Sequence, residues 1–248
     1  MEHDRLFKEL LCTFFFEFLQ LFFPPLAACV DRSQPPVFLD KESFGHTSRR
    51  REVDLVVRLT MSGQAAHFLI HLEHQAQAKE GFPRRMFLYF ARLLEKYGNP
   101  IYPIALFSFP TPITKQPAGY QMTVAGRRVL DFRYATLQLN RMSWRQFANQ
   151  ANPVASALMA RMKIAPQERA RVKLQCLRLL ATLGLDRRKS YLISGFVDSY
   201  LQLDTQDMRT FNRSLEKLPI KERREIMQFT TSWKEEGRAE GLVAGRTQ

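Results

Sequence analysis

The stretch Arg51–Gln77, REVDLVVRLTMSGQAAHFLIHLEHQAQ, decides the fold of the chain. Two apolar runs flank a short MSGQ segment, in which Gly63 can adopt the positive φ of a turn. Apolar residues at every second position predict two strands that pair across this turn. Asp54 lies in the first strand, and Glu73 and Gln75 lie at the end of the second. Carboxylates are depleted in strands, so their presence indicates that a strand end or a functional site requires them.

The pairing of these two strands determines which polar side chains are neighbours. A loop of two or four residues pairs Asp54 with His71 or with Glu73, and both registers leave Asp54 and Glu73 on one face of the sheet. Two carboxylates that lie a few ångströms apart repel each other unless a cation lies between them. The pattern is therefore typical of a site for a hard divalent metal ion.

The composition indicates a globular chain with a basic second half. Of its 248 residues, 45% are hydrophobic, which is enough to bury a core and excludes a disordered chain. The formal net charge of +13 suits a polyanionic partner such as nucleic acid. Residues 1–140 carry 17 basic and 13 acidic groups, whereas residues 141–248 carry 20 and 11. We therefore expect the two halves to do different jobs.

The three cysteines, Cys12, Cys29 and Cys176, are scattered along the chain. They form no CxxC motif, and no histidine lies at the spacing of a zinc site. We therefore expect three buried thiols in a reducing compartment rather than a disulfide or a metal site.

The apolar stretch at residues 10–23, LLCTFFFEFLQLFF, could serve as a signal peptide or a membrane anchor. It is short for a membrane span, it contains Glu17 and Gln20, and it follows a segment of mixed charge rather than a basic one. It is thus predicted to be a core helix of a cytoplasmic protein that has no membrane partner.

A polar stripe follows one face of this predicted helix, because spacings of four, four and three residues align Glu9, Thr13, Glu17 and Gln20. The other faces are apolar, as in a buried helix. The stripe therefore faces either solvent or a polar cavity. Pro24 and Pro25 are expected to end the helix, since neither can continue its hydrogen-bond ladder.

The later segments alternate between helix and strand and then become helical. KEGFPRRMFLYFARLLEKYG predicts a helix with Pro83 in its first turn and Gly98 after its end. Ile101–Phe109 reads as a third strand, and weaker strands are predicted in YQMTVAG and RRVLDFRYATLQL. From about Met142 onward the pattern is helical. This order predicts an α/β sandwich followed by a helical part.

Six segments within roughly the first 110 residues resemble the recombination-promoting nuclease and transposase-related (YhgA-like) family of the PD-(D/E)xK nuclease superfamily. They are HDRLFKELL, FFEFLQLFFP, EVDLVVRL, FLIHLEHQAQ, FPRRMFLYFARLLEKY and IYPIALFSF. The resemblance implies a restriction-endonuclease-like sandwich with a mixed central sheet flanked by helices. It also implies a Mg²⁺-dependent DNA endonuclease linked to transposition or recombination.

The resemblance assigns roles to four residues. The superfamily pattern is an acidic residue that opens one strand and E-x-K at the end of the next; Asp54 matches the first acid and Glu73 the second. They would bind Mg²⁺, for which Mn²⁺ can substitute. Gln75 stands where the superfamily has lysine, and the family commonly carries E-x-Q, so this departure leaves the role of the lysine open. Glu17 matches the position of a further metal-associated carboxylate.

The sequence pattern, taken with this resemblance, divides the chain into three parts. Residues 1–140 would form the nuclease-like domain, residues 141–233 a helical region, and residues 234–248 a flexible tail. Gly237, Gly241 and Gly245 recur every four residues in this tail, and each lowers helix stability by about 1 kcal/mol.

Basic and imidazole side chains surround the predicted site. Arg49, Arg50 and Arg51 precede the first strand, Arg84 and Arg85 open the helix after the second, and all five are either DNA contacts or ordinary solvated groups. Two histidines of the second strand invite a general-base role. His74 shares the apolar face with Leu72 and is expected to be packed, whereas His71 lies on the polar face and stays a candidate.

Basic clusters in the second half are predicted to grip DNA phosphates. They are Arg187, Arg188 and Lys189, placed between two predicted helices, and Arg223 and Arg224. The alternative is that they are solvated helix termini, since a cation near a helix C-terminus complements the helix dipole.

Three classes of function remain open. The first is a Mg²⁺-dependent DNA endonuclease of the cytoplasm and nucleoid, which would need a homodimer or sequential nicking to break both strands. The second is a DNA-binding protein that has lost cleavage. The third is a structural protein in which the carboxylates pair with arginines such as Arg58.

Overall fold

The chain divides into two compact units. The computed structural model describes residues 2–39, 43–44, 51–52, 55–64 and 66–229. The first unit consists of Met1–Lys8 and Phe22–Asn140, and the second of Glu9–Leu21 and the chain from Arg141 onward. Residues 9–21, assigned by sequence to the nuclease-like domain, thus group with the helical part. The predicted tail, residues 234–248, lies outside the described residues.

The first unit carries the strands. They are β1 (Val37–Leu39), β2 (Ser43–Phe44), β3 (Arg51–Glu52), β4 (Leu55–Thr60), β5 (His67–Gln75), β6 (Ile101–Phe107), β7 (Gly119–Val124), β8 (Arg127–Arg133) and β9 (Ala135–Gln138). The helices of both units are α1 (Glu2–Thr13), α2 (Phe15–Phe22), α3 (Pro24–Ala28), α4 (Phe82–Tyr97), α5 (Pro153–Leu158), α6 (Arg169–Thr182), α7 (Arg187–Tyr200) and α8 (Thr205–Glu216). Residues 220–229 are also helical.

The central sheet has five strands in the order β1-β4-β5-β6-β9. The pairs β1–β4 and β4–β5 are antiparallel, and the pairs β5–β6 and β6–β9 are parallel. The predicted fold class, an α/β architecture with a mixed central sheet and a helical C-terminal region, is confirmed.

The hairpin of β4 and β5 has the longer of the two loops considered. Met61 N donates to the carbonyl oxygen of Ala66 across 2.9 Å, so four residues connect the strands. In this register Leu55 pairs with Leu72 and Val56 pairs with His71. Asp54 itself lies outside the described residues.

Strand β5 is covered on both faces. Every residue from Phe68 to Gln75 is buried. On one face Leu69 packs with Leu93 of α4, and on the other Phe7 of α1 stacks on the His74 ring with centroids 3.9 Å apart. Strands that are buried on both faces are typical of the parallel part of a sheet. The hairpin predicted from sequence is therefore the centre of the unit.

Sequence and structure differ in two elements. The predicted helix over residues 10–23 is divided at Phe14 into α1 and α2, although Phe14 N still donates to Leu10 O across 3.0 Å. Pro24 and Pro25 end α2 as predicted and also begin α3, because proline is tolerated in the first turn of a helix. The single strand predicted in RRVLDFRYATLQL is divided at Tyr134 into β8 and β9.

Strands β7 and β8 form a separate two-stranded ribbon. Only Phe132 of these strands is buried, while Val124 and Val129 are more than half exposed. The base of the ribbon is anchored on α4, where Phe87 lies 5.8 Å from Tyr120 and 5.5 Å from Phe132 between ring centroids. The ribbon is thus fixed at one end and exposed at the other.

The proline-rich connection between β6 and β7 is fastened by side chains from the end of the main sheet. Asn140 Nδ2 donates to the carbonyl oxygens of Pro110 (3.1 Å) and Pro112 (3.0 Å). Gln138 Nε2 donates to the carbonyl oxygen of Thr114 across 2.9 Å. These bonds satisfy backbone acceptors that a segment without secondary structure would otherwise leave unpaired.

The polar stripe predicted on the first helix is partly solvated and partly lines a pocket. Thr13 and Gln20 are exposed, and Glu17 is half-buried. Glu9 and Thr13 line an open pocket of 440 Å³ together with the start of α7. Both alternatives left open by the sequence thus occur along one stripe.

The second unit contains a nearly buried ion pair between two helices. Lys173 Nζ of α6 lies 2.6 Å from the Asp198 carboxylate of α7 and donates to the carbonyl oxygen of Leu201 across 3.2 Å. The side chain of Lys173 is only 9% exposed. Removing one member of such a pair leaves an uncompensated charge in a poorly hydrated place.

Within the described ranges, no helix is long and apolar enough to cross a membrane.

The cysteines are all free thiols. The prediction that all three are buried is wrong for Cys29, which is exposed at the end of α3, and for Cys12, which is half-buried. Cys176 is buried, and burial raises the pKa of its thiol to about 12. The thiolate is the reactive form, so Cys176 is protected both by position and by ionisation.

We expect Lys173→Met to lower the free energy of unfolding by about 3 kcal/mol, because it leaves Asp198 unpaired. Urea unfolding followed by circular dichroism measures this change. Lys189→Met is the matched control, since the Lys189–Asp186 pair is exposed, and it should leave the midpoint nearly unchanged. Equal midpoints for both variants would contradict the assigned role of the ion pair.

In the folded chain, a thiol reagent at pH 8 should label Cys29 first, and Cys29→Ser should remove that fast phase. Cys176 should react only after denaturant is added, because its raised pKa leaves little thiolate at this pH. Mass spectrometry of quenched samples identifies the labelled residue. Fast labelling of Cys176 without denaturant would show that the second unit opens readily.

Candidate active site

The candidate site lies at the carboxyl end of β5, on the face that α4 covers. Glu73 and Gln75 are two residues apart, so their side chains leave the same face of the strand. Glu73 is 3% exposed and Gln75 is 9% exposed. On the next strand Glu73 pairs with Ala105, which has the smallest side chain of β6 and leaves room beside the carboxylate. A carboxylate is therefore buried at the end of a central strand, where it requires polar partners.

His71 provides one such partner. Its Nε2 lies 3.1 Å from Glu73 Oε1, and its ring meets Tyr89 of α4 edge-on, with centroids 6.1 Å apart. The imidazole is fully buried, and no described residue offers a hydrogen-bond partner to Nδ1. Since Nε2 is engaged by Glu73, the geometry favours an orienting role for His71 over the general-base role left open by the sequence.

Gln75 is held at both ends of its amide. Arg85 Nη2 donates to Gln75 Oε1 across 2.9 Å, and Gln75 Nε2 donates to the carbonyl oxygen of His74 across 2.8 Å. Gly81 precedes α4 with φ of +70°, a left-handed conformation that glycine adopts easily. The helix then runs back over the sheet and brings its first turn to Gln75. Arg85 was predicted to lie near the site, and its hydrogen-bond partner there is Gln75.

Arg84 and Arg85 have different surroundings although they are adjacent in sequence. Arg84 is exposed, whereas Arg85 is partly buried, with its guanidinium 5.2 Å from the centroid of the Phe82 ring. Arg84 remains the better candidate for a direct DNA contact from this turn. Arg85 belongs to the site itself.

His74 points to the opposite face, as its alternation with Glu73 requires. It stacks on Phe7, and its Nε2 lies 2.6 Å from the hydroxyl of Ser108. Ser108 N also donates to the carbonyl oxygen of Gln75 across 3.0 Å. The prediction of a packed histidine is confirmed. Ser108 was missed by sequence reasoning, since only the parallel pairing of β5 and β6 brings it here.

The described donors match a magnesium site in kind but do not complete one. Glu73 offers a carboxylate, which is the kind of oxygen ligand that Mg²⁺ prefers. Among the residues that the structure describes, no group of three His, Cys, Asp or Glu side chains could hold a metal ion. Asp54, the second predicted ligand, lies outside the described residues, so its role stays a prediction.

Glu17, the further predicted carboxylate, lies on α2 in the second unit, whereas Glu73 belongs to the first. It is half-buried, and its main-chain carbonyl accepts a hydrogen bond from Asn152 Nδ2 across 3.0 Å. Participation of Glu17 in the site therefore stays a prediction.

The predicted DNA contacts before the hairpin are only partly described. Arg49 and Arg50 lie outside the described residues. The backbone of Arg51 pairs with Phe44 in the short β2–β3 ladder.

The cluster Arg187, Arg188 and Lys189 forms the first turn of α7 rather than a connection between helices. Asp186 caps this turn, and its side chain accepts from Lys189 N across 2.9 Å, a bond that holds the pKa of the Asp186 carboxyl below its usual value. A cation near a helix N-terminus is destabilising, because the helix dipole has its positive end there. The dipole argument therefore does not apply to these three residues, although all three are exposed at a helix end, as the alternative of solvated helix termini has it.

Comparisons of the chain with protein-family models, with curated proteins and with solved structures found no match. The function must therefore be inferred from the residues of the site. Its strongest elements are the buried Glu73, the histidine that holds it, and the Gln75–Arg85 hydrogen bond.

Proposed function

We propose that the protein is a Mg²⁺-dependent DNA endonuclease that takes part in recombination or transposition in the cytoplasm. The observation that carries the proposal is the buried carboxylate of Glu73 at the end of the central strand, with a cation, Arg85, bonded to the adjacent Gln75. Burying a carboxylate costs free energy, and folding alone does not require a carboxylate at this position. Such groups concentrate at functional sites.

The register of the hairpin supports Asp54 as the partner of Glu73. The last described pair of the ladder is Leu55 with Leu72. For a hairpin loop of four residues, the sequence predicts that Asp54 pairs with Glu73 on the same face of the sheet. The two carboxylates would then be close enough to share one cation.

Each described residue has a role in this chemistry. Mg²⁺, when bound, would supply Lewis-acid activation of water and would neutralise charge on the scissile phosphate. Glu73 would bind the ion through its carboxylate, whose orientation is fixed by His71. Gln75 and Arg85 would present hydrogen-bond donors and positive charge to the phosphate oxygens. Arg84, on the exposed side of the same turn, would contact a neighbouring phosphate.

A DNA-binding protein without cleavage is the second candidate. Glutamine in place of lysine at residue 75 favours it, as does the net positive charge of Arg187, Arg188 and Lys189 beside Asp186 at the start of α7. In either case we propose DNA as the partner. A homodimer would place two sites on one duplex and allow both strands to be cut.

Glu73→Gln should lower Mg²⁺-dependent nicking of a supercoiled plasmid by about 100-fold or more. It should also weaken Mn²⁺ binding in isothermal titration by more than about tenfold, since even changes around metal ligands cost that much. Asp54→Asn should behave in the same way. Glu80→Gln removes an exposed carboxylate near the same strand and is the matched control. Wild-type metal affinity in both site variants would eliminate the metal centre.

We propose that basic residues of the second unit bind DNA phosphates. Replacing Arg187, Arg188, Lys189, Arg223 and Arg224 with glutamine should flatten the plot of log affinity against log salt, by about 0.9 for each lost contact with duplex DNA. Fluorescence anisotropy with a labelled duplex measures the slope. An unchanged slope would assign the phosphate contacts to the first unit, where the predicted contacts are Arg49, Arg50, Arg51, Arg84 and Arg85.

A further inference from the structure

We propose that Arg85 supplies, through Gln75, the positive charge that lysine supplies at residue 75 in an E-x-K site. The inference rests on the proposed endonuclease function and deepens it, because it assigns a charge-bearing residue to a site in which Gln75 is neutral. Arg85 comes from α4, the helix that follows β5 in the chain.

The first support is the chain of hydrogen bonds. The guanidinium donates to Gln75 Oε1 at 2.9 Å, and Gln75 Nε2 donates to the carbonyl oxygen of His74 at 2.8 Å. An amide that is held at both ends has one defined orientation. Gln75 therefore acts as a fixed support that places the guanidinium at the carboxyl end of β5, where a lysine side chain from residue 75 would otherwise bring its ammonium.

The second support is that the charge of Arg85 is not cancelled nearby. Among the described residues, no carboxylate forms an ion pair with Arg85, and its one hydrogen bond is to the neutral Gln75. The ring of Phe82, 5.2 Å from the guanidinium carbon, covers part of one face by a cation–π contact. A guanidinium has five N–H donors, and only one of them is hydrogen-bonded to a described residue.

The chemistry of arginine limits what Arg85 can do. A guanidinium stays protonated at any physiological pH, so Arg85 cannot accept a proton as a neutral lysine could. Its contribution is electrostatic: it stabilises negative charge that develops on the phosphate oxygens in the transition state. Arg85 thus replaces the charge of the lysine and leaves proton transfer to other groups.

A purely structural alternative must be separated from this inference. The Arg85–Gln75 bond also ties the first turn of α4 to β5. Arg85→Gln removes the charge but keeps an amide donor on a shorter side chain, and its melting temperature reports whether the tie to β5 is kept. Lys96→Ala removes an exposed charge from the last turn of the same helix and is the matched control.

The test uses the full chain in a plasmid-nicking assay with Mg²⁺, with melting temperature and Mn²⁺ affinity measured for each variant. We expect Arg85→Gln and Arg85→Ala to lower nicking by about 100-fold while metal affinity is retained. Lys96→Ala should change nicking less than about threefold, because Lys96 lies at the opposite end of α4 from Arg85. The double variant Gln75→Lys/Arg85→Gln should regain most of the lost activity, because an ammonium returns to the site.

Two results would overturn the inference while leaving the endonuclease function in place. They are wild-type nicking by Arg85→Gln, or a double variant that is no more active than Arg85→Gln alone. If the wild-type chain does not nick DNA with Mg²⁺ or Mn²⁺, the proposed function fails, and the role of Arg85 fails with it.

Discussion

The structure of the first unit depends on one constraint: β5 is paired on both edges and covered on both faces. It hydrogen-bonds to β4 on one side and to β6 on the other, and all but its first residue are buried. A strand in this position cannot slip by one residue without moving every side chain to the opposite face. Glu73 and Gln75 lie on the most constrained strand of the sheet, so the positions of their side chains are fixed. A functional site requires such fixed positions for its groups.

Much of this arrangement can be predicted from the sequence, because the local spacing of apolar residues indicates the strands and helices. Apolar residues at every second position predicted β4 and β5. Pro83 in the first turn and Gly98 after the last residue predicted the two ends of α4. The division of RRVLDFRYATLQL could not be predicted, since both halves are extended and only tertiary pairing separates them. The contacts of Ser108 with His74 and of Arg85 with Gln75 were missed in the same way, because neither pair is linked by a local repeat.

The handedness of strand connections explains why the same face of the sheet receives α4 and the β7–β8 ribbon. Strands β5, β6 and β9 are parallel and follow one another across the sheet. Right-handed crossovers between such strands pass over the same side. Phe82 and Met86 of α4 accordingly share one apolar cluster with Phe132 of the ribbon. Two successive connections thus pack against the face of the sheet that carries Glu73.

The crossover from β6 to β9 contains a ribbon where parallel strands are usually joined by a helix. The tip of this ribbon, at Ala125 and Gly126, is exposed, whereas ring contacts of Phe87 with Tyr120 and Phe132 hold its base. Exposed tips of this kind accept inserted sequence without loss of the fold. The domain therefore offers a natural point for joining a second module, such as a fluorescent reporter or a targeting domain, without interrupting the strands that carry the site.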